Sequence, residues 1–240
     1  MLQLIKLECK RNQIYSYILI VAILSITILG LSYFFALVAH IKPEEAKVNA
    51  AITTYAYVFN MVHLISLAGF SIFSAVLFSR FIIEEYKGDS LFLLSLYPVS
   101  RRKLFFSKVI LCVVLTLVFS ITSQLFVYII FMLTESVVPI MTNDVFTWTL
   151  LTSVLPNIFF VGIQSVLVGL IAMRIGFINR SLPTTIISSV IISVVFCNIL
   201  TIGNATILNF VTITLYLLIF ITLIKQSRQI NHMELEAKHS

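Results

Sequence analysis

Charge is scarce in this sequence. Asp, Glu, Lys and Arg together make up 11% of its 240 residues, against 60% hydrophobic residues, and no soluble domain of this size could hide that much apolar surface. Strict period-two alternation is also missing, which excludes a transmembrane β-barrel, because the apolar runs are continuous. There are three cysteines, Cys9, Cys112 and Cys197, one at a basic segment and two inside apolar runs. That is neither a disulfide framework nor a metal-ligand spacing, and buried small hydrophobes is the reading it favours. Repeats, low-complexity tracts and any soluble domain are lacking too. No GxxxxGK[ST] stretch occurs, so the chain has no usual phosphate cradle for ATP and an energy source would have to be a partner.

What is present is a series of apolar runs, each long enough for a hydrocarbon core of roughly 30 Å, which needs about 20 residues. They predict an all-α integral membrane domain over residues 1–240 with six spans, at about 14–39, 55–79, 104–133, 147–173, 182–200 and 205–224. The first run follows Lys6, Lys10 and Arg11 as a signal peptide would, but it is too long for an h-region and no convincing small-residue cleavage site follows Phe34 and Phe35. Residues 2–13 put Leu2, Ile5 and Cys9 on one helical face and the three basic residues largely on another, which predicts an N-terminal amphipathic helix at the membrane surface.

Orientation follows from the Lys and Arg bias of the short loops. With a cytoplasmic N-terminus, 14 of the 16 basic residues fall inside and only Lys42 and Lys47 outside. Six spans then leave both termini cytoplasmic. The net charge of +6 is thus a topology signal and not a nucleic-acid footprint. The segment around Asn198–Ala205 is a tight outer turn or a shallow re-entrant dip.

Chemistry inside a membrane needs reactive groups in the spans, and the predicted span centres hold no Asp, Glu, Lys or Arg. His63 is the only residue in a span that titrates near neutrality, and it stands without an HExxH pattern. Gln124 and Gln164 are the deepest polar side chains, suited either to interhelical hydrogen bonds or, with His63, to lining a substrate path. Ser66, Gly69, Ser71 and Ser74 on the second span, and Gly162, Ser165 and Gly169 on the fourth, permit close helix approach or line that path; Phe73 stands where a GxxxG motif from Gly69 would need a second glycine. The densest polar segment is 80–108, RFIIEEYKGDSLFLLSLYPVSRRKLFFSK. Gly88 can end a turn, Asp89 or Ser90 can cap a following helix, and Pro98 with Ser100 can break it before Arg101. Two readings are open: a cytoplasmic helix with one side free for docking, or a solvated basic loop that anchors topology.

Two families resemble parts of this segment. Glu84-Glu85 matches the start of the EExxxR pattern of intramembrane CAAX-type proteases, but that pattern's Arg position is Asp89 here, and His232 and His239 lie in the tail instead of in spans. The stretch Glu85-Tyr86-Lys87-Gly88-Asp89-Ser90, then Leu93-Leu94-Ser95-Leu96-Tyr97-Pro98-Val99-Ser100-Arg101-Arg102-Lys103, with Lys108 beyond, is more closely similar to the signature of ABC-2 type transporter permeases. There the segment commonly reads E-R/Y-x-x-G-T/S-x-x-x-L-L-x-x-P-V-S-R; this chain departs from it by Asp89, inserted between the glycine and Ser90. The resemblance implies a half-transporter without catalytic residues of its own. Two permeases, either copies or paralogues, pair around a path, and two ATPase subunits bind ATP and magnesium below them. Carried over to matching positions, Glu84, Glu85, Tyr86, Lys87, Gly88, Asp89, Ser90, Leu93, Leu94, Pro98, Ser100, Arg101 and Arg102 would form the coupling helix that docks on the ATPase, with Arg101 and Arg102 also meeting anionic lipid. Permeases of this length resemble those of bacterial exporters of lantibiotics, bacitracin-like antibiotics or cytolytic peptides. An excess of Ile, Phe, Asn and Lys over Ala, Gly and Arg points to an AT-rich, Gram-positive genome. A non-transporting membrane sensor or scaffold is the rival expectation.

Overall fold

The computed structural model describes residues 14–41, 54–84, 101–137, 149–179, 181–201 and 214. Apart from residue 214, which is helical, they form five long helices: α1 (Ile14–Ile41), α2 (Tyr55–Phe78), α3 (Arg101–Val137), α4 (Thr149–Asn179) and α5 (Leu182–Thr201). There is no strand among the described residues. Helix is the form an isolated apolar segment must take in lipid, because each backbone N–H and C=O then finds its partner within the segment. All five are long and apolar enough to cross a membrane. At 1.5 Å per residue, the 37 residues of α3 span about 56 Å, so this helix reaches well beyond the hydrocarbon on at least one side.

The expected spans agree with these helices to within a few residues at most ends. The largest difference is at α4, which runs on to Asn179 rather than ending near 173. The extra turns carry Arg174, a long side chain that can reach the headgroups from a helix end. The expected sixth span, the N-terminal amphipathic helix and residues 85–100 lie outside the described residues.

Hydroxyl groups scattered through the helices would be costly in lipid if left unbonded. Many turn back to their own helix: Ser25 Oγ donates to the Val21 carbonyl at 2.7 Å, Thr116 to Cys112 at 2.8 Å and Ser165 to Val161 at 2.8 Å. Such back-bonding lets a helix carry Ser and Thr at depth.

Side-chain contacts fix the helix directions. Tyr17 at the start of α1 packs on Phe81, just past the end of α2, with ring centroids 5.7 Å apart. Ser25 and Tyr33 reach Ser123 and Thr134 on α3, each at 2.6 Å, so α1 and α3 run in parallel. Cys197 of α5 donates to the Leu64 carbonyl of α2 at 3.6 Å. The helices therefore alternate up and down in chain order. In the most apolar stretch of α2 61% of residues are buried, and in that of α4 67%, against 22% in α1 and in α5. The core is accordingly the α2–α4 pair, with α3 beside it and α1 and α5 at the periphery.

Lipid supplies no hydrophobic drive for helices to associate, so close packing must do it. On α4, Gly162, Ser165, Gly169, Ala172 and Gly176 recur at alternating intervals of three and four, one continuous face. A methyl group added at Gly169 would collide with the Ser74 side chain of α2 and sit 3.2 Å from Phe78; at Gly176 it would strike Thr185 of α5 and Ile83. The lack of GxxxG points to weak packing motifs, yet along this seven-residue glycine repeat Gly162 lies against α3, Gly169 against α2 and Gly176 against α5 and Ile83. The repeat stands in plain view in the sequence.

Candidate functional site

Two regions carry the polar groups. At one end of the bundle, α2 does not stop at Phe78 but widens into a π-helical turn, Ser79–Ile83, closed by the Glu84 amide donating to the Ser79 carbonyl at 3.0 Å. Such turns insert one residue into a helix and re-aim the chain beyond them. The chain beyond this one is the polar segment expected to dock a partner. Arg80 and Glu84 are exposed and face each other at 3.5 Å, while Phe81, Ile82 and Ile83 are buried. The π turn thus anchors its apolar side in the bundle and leaves both charges outward.

Of the residues expected to form the coupling helix, Glu84 ends this turn and Arg101 and Arg102 open α3. The expected break at Pro98 and Ser100 lies outside the described residues, as do Glu85, Tyr86, Lys87, Gly88, Asp89, Ser90, Leu93 and Leu94. Lys108, two turns into α3, is buried at 3% exposure, so it belongs to the helix packing rather than to a solvated loop. All six Lys and Arg of the described residues, Arg80, Arg101, Arg102, Lys103, Lys108 and Arg174, fall at this one end.

The second region is a seam of hydrogen bonds toward the opposite end. His63 of α2 and Tyr128 of α3 are both buried, and the Tyr128 hydroxyl lies 3.2 Å from His63 Nδ1. Gln124 lies beside the same imidazole and donates through Nε2 to Ser120 at 3.1 Å. Nearer the helix ends, the Tyr55 hydroxyl donates to Glu135 Oε1 at 3.0 Å, with both residues buried. Tyr128 holds His63 within the packing of α2 against α3. His63 and Gln124 thus share one cluster on these two helices, whereas Gln164 stands on α4, in the wall of a cavity of about 400 Å³ that His63 also lines. Tyr128 and Glu135 are not singled out by the sequence alone; the signal available for Glu135 is a lone acid facing Tyr55 across two span ends that topology brings together.

Among the described residues no group of three His, Cys, Asp or Glu side chains could hold a metal ion. Cys112 is buried and Cys197 half-buried, both as free thiols.

Comparison with known proteins gives this geometry a family. The family described as ABC-2 family transporter protein matches residues 4–197. The chain belongs to the ABC-2 transporter family. It is also 25% identical over 191 residues, 80% of this chain and 81% of the relative, to the uncharacterized protein YcbO of Bacillus subtilis (strain 168). No solved structure matches. Membership makes the chain a membrane component of a transporter of the kind that works with ABC ATPases, and not itself an ATPase.

Proposed function

We propose that the protein is the permease half of an ATP-driven exporter for amphipathic or antimicrobial peptides in the cell membrane of a Gram-positive bacterium. Two permease subunits, with six spans each and both termini in the cytoplasm, form the path, and two separate ATPase subunits bind and hydrolyse ATP with magnesium. The family match across residues 4–197 carries this reading. The gathering of the described Lys and Arg at one end supports the orientation, because cytoplasmic loops hold the excess of positive charge.

Coupling runs through the segment from Glu84 to Arg102. ATPase closure displaces this segment, which lies directly between α2 and α3, and a rigid helix passes displacement on without chemistry in the permease. The π turn supports such a role: its buried Phe81, Ile82 and Ile83 tie the segment's first residues to the bundle core. The interior offers many aromatic and aliphatic surfaces and almost no charge, which favours a lipophilic cargo over a hydrophilic ion. Export of the peptide, or immunity to it, is the physiological consequence.

The test is ATP hydrolysis by the reconstituted permease–ATPase complex with and without a membrane-active peptide such as a lantibiotic. Glu85→Ala and Arg101→Ala are expected to abolish the stimulation by peptide while the complex still assembles. Stimulation equal to wild type in both variants contradicts the coupling role.

A further inference from the structure

The cavity between α2, α4 and α5 has a lining that, apart from His63, the hydrogen-bonded seam does not use. Its polar groups are Tyr57, Asn60 and His63 from α2, Asn157 and Gln164 from α4, and Thr201 from α5. Asn60, Asn157 and Thr201 are exposed, whereas His63 and Gln164 are buried. The lining is therefore a gradient along the helices, with a mouth near the bundle end and a floor deep inside. Gln164 stands ten residues into the span that begins at Val154, about 15 Å along the helix axis and hence near the middle of a hydrocarbon core of roughly 30 Å.

Gln164 is 1% exposed, and neither its Nε2 nor its Oε1 has a hydrogen-bond partner. A carboxamide carries two donors and two acceptor lone pairs. Burying it at mid-membrane without partners is strongly unfavourable, whereas a leucine would fit the same place without that cost. The other glutamine at this depth, Gln124, donates within its own helix, so of the two only Gln164 has both ends of its carboxamide unmet. A volume of about 400 Å³ lies in the range of small-molecule sites, roughly 300–1,000 Å³.

We infer that this cavity binds an uncharged hydrogen-bonding group, a carboxamide or hydroxyl, at the head of an amphipathic cargo, with Gln164 as its deepest contact. Among the described residues the lining has no Asp, Glu, Lys or Arg, so a charged head would meet no counter-ion among them. Apolar walls from Leu64, Phe160 and Val161 suit the hydrocarbon part. Only the word cargo rests on the exporter reading; the binding itself does not.

The experiment is thermal unfolding of the full-length wild-type protein in lipid nanodiscs, without any ATPase, in the presence of dodecanamide, dodecanesulfonate or dodecyltrimethylammonium at equal mole fraction. Dodecanamide is expected to raise the midpoint by several degrees and the two charged amphiphiles are not. In Gln164→Leu the unliganded midpoint is expected at or above wild type, and the dodecanamide shift is lost. Asn157→Ala, at the exposed mouth, is expected to reduce the shift and serves if the first variant does not fold. Equal shifts from all three amphiphiles, no shift from any, or an amide shift that survives in both variants overturns the inference. Because no ATPase is present, a failed exporter reading leaves this result intact, and the reverse also holds.

Discussion

The Tyr55 hydroxyl and the Glu135 carboxylate meet across 80 residues of sequence, at an end of the bundle with no Lys or Arg among the described residues. A buried acid in that position depends on its donors. Tyr55→Phe keeps the ring and removes one of them, so unfolding in detergent is expected to become easier by about 1 kcal/mol, the scale of interhelical hydrogen bonds in membranes. An unchanged midpoint contradicts the role given to this bond. The Arg80–Glu84 pair makes the opposite case. It is exposed, 3.5 Å long and four residues apart on one helix, so Arg80→Ala is expected to change stability by less than about 0.5 kcal/mol in the same assay. At this scale the sequence is legible where a residue is rare in its surroundings: His63, Gln124 and Gln164 stand out because they are polar within apolar runs. Tyr128 does not, because tyrosine is common in such runs and only its neighbour on another helix gives it a role.

Among the helices, α4 decides the packing. Its glycines at 162, 169 and 176 share one face, and α2 and α5 approach so closely there that Gly169 and Gly176 have no room for a methyl group. Gly169→Ala is expected to destabilise the bundle by about 1–3 kcal/mol through overpacking against Ser74 and Phe78. Gly30 of α1 is the internal control. A methyl group there meets nothing within 4 Å, so Gly30→Ala is expected to be neutral or slightly stabilising, as helix propensity favours Ala. Denaturant or thermal unfolding of the two variants side by side checks both, and equal effects contradict the packing account. The spans themselves are readable from run length alone, since lipid thickness and backbone hydrogen bonding leave an apolar segment few alternatives. The π turn at Ser79–Ile83 is not readable, because no residue preference marks it and it arises from how Phe81, Ile82 and Ile83 find space in the core.

For the molecule as a whole, the distribution of charge says more than any single group. Six Lys and Arg among the described residues gather where α2 ends and α3 begins, which is also where the family signature lies. The resemblance carried by Glu85–Ser90 and Leu93–Lys103 extends, through the family match, over residues 4–197. The cargo is not legible to the same degree, because the buried lining is almost uncharged and apolar side chains discriminate weakly among lipophilic molecules; the polar cavity around Gln164 emerges only once α2, α4 and α5 are brought together. The central claim is that this chain is driven by a separate ATPase. The most direct test is to purify the tagged full-length protein from its native membrane in mild detergent and identify the proteins that accompany it by mass spectrometry. The account predicts a P-loop ATPase in stoichiometric amount with the permease, and a stable, well-folded preparation that carries no ATPase would contradict it.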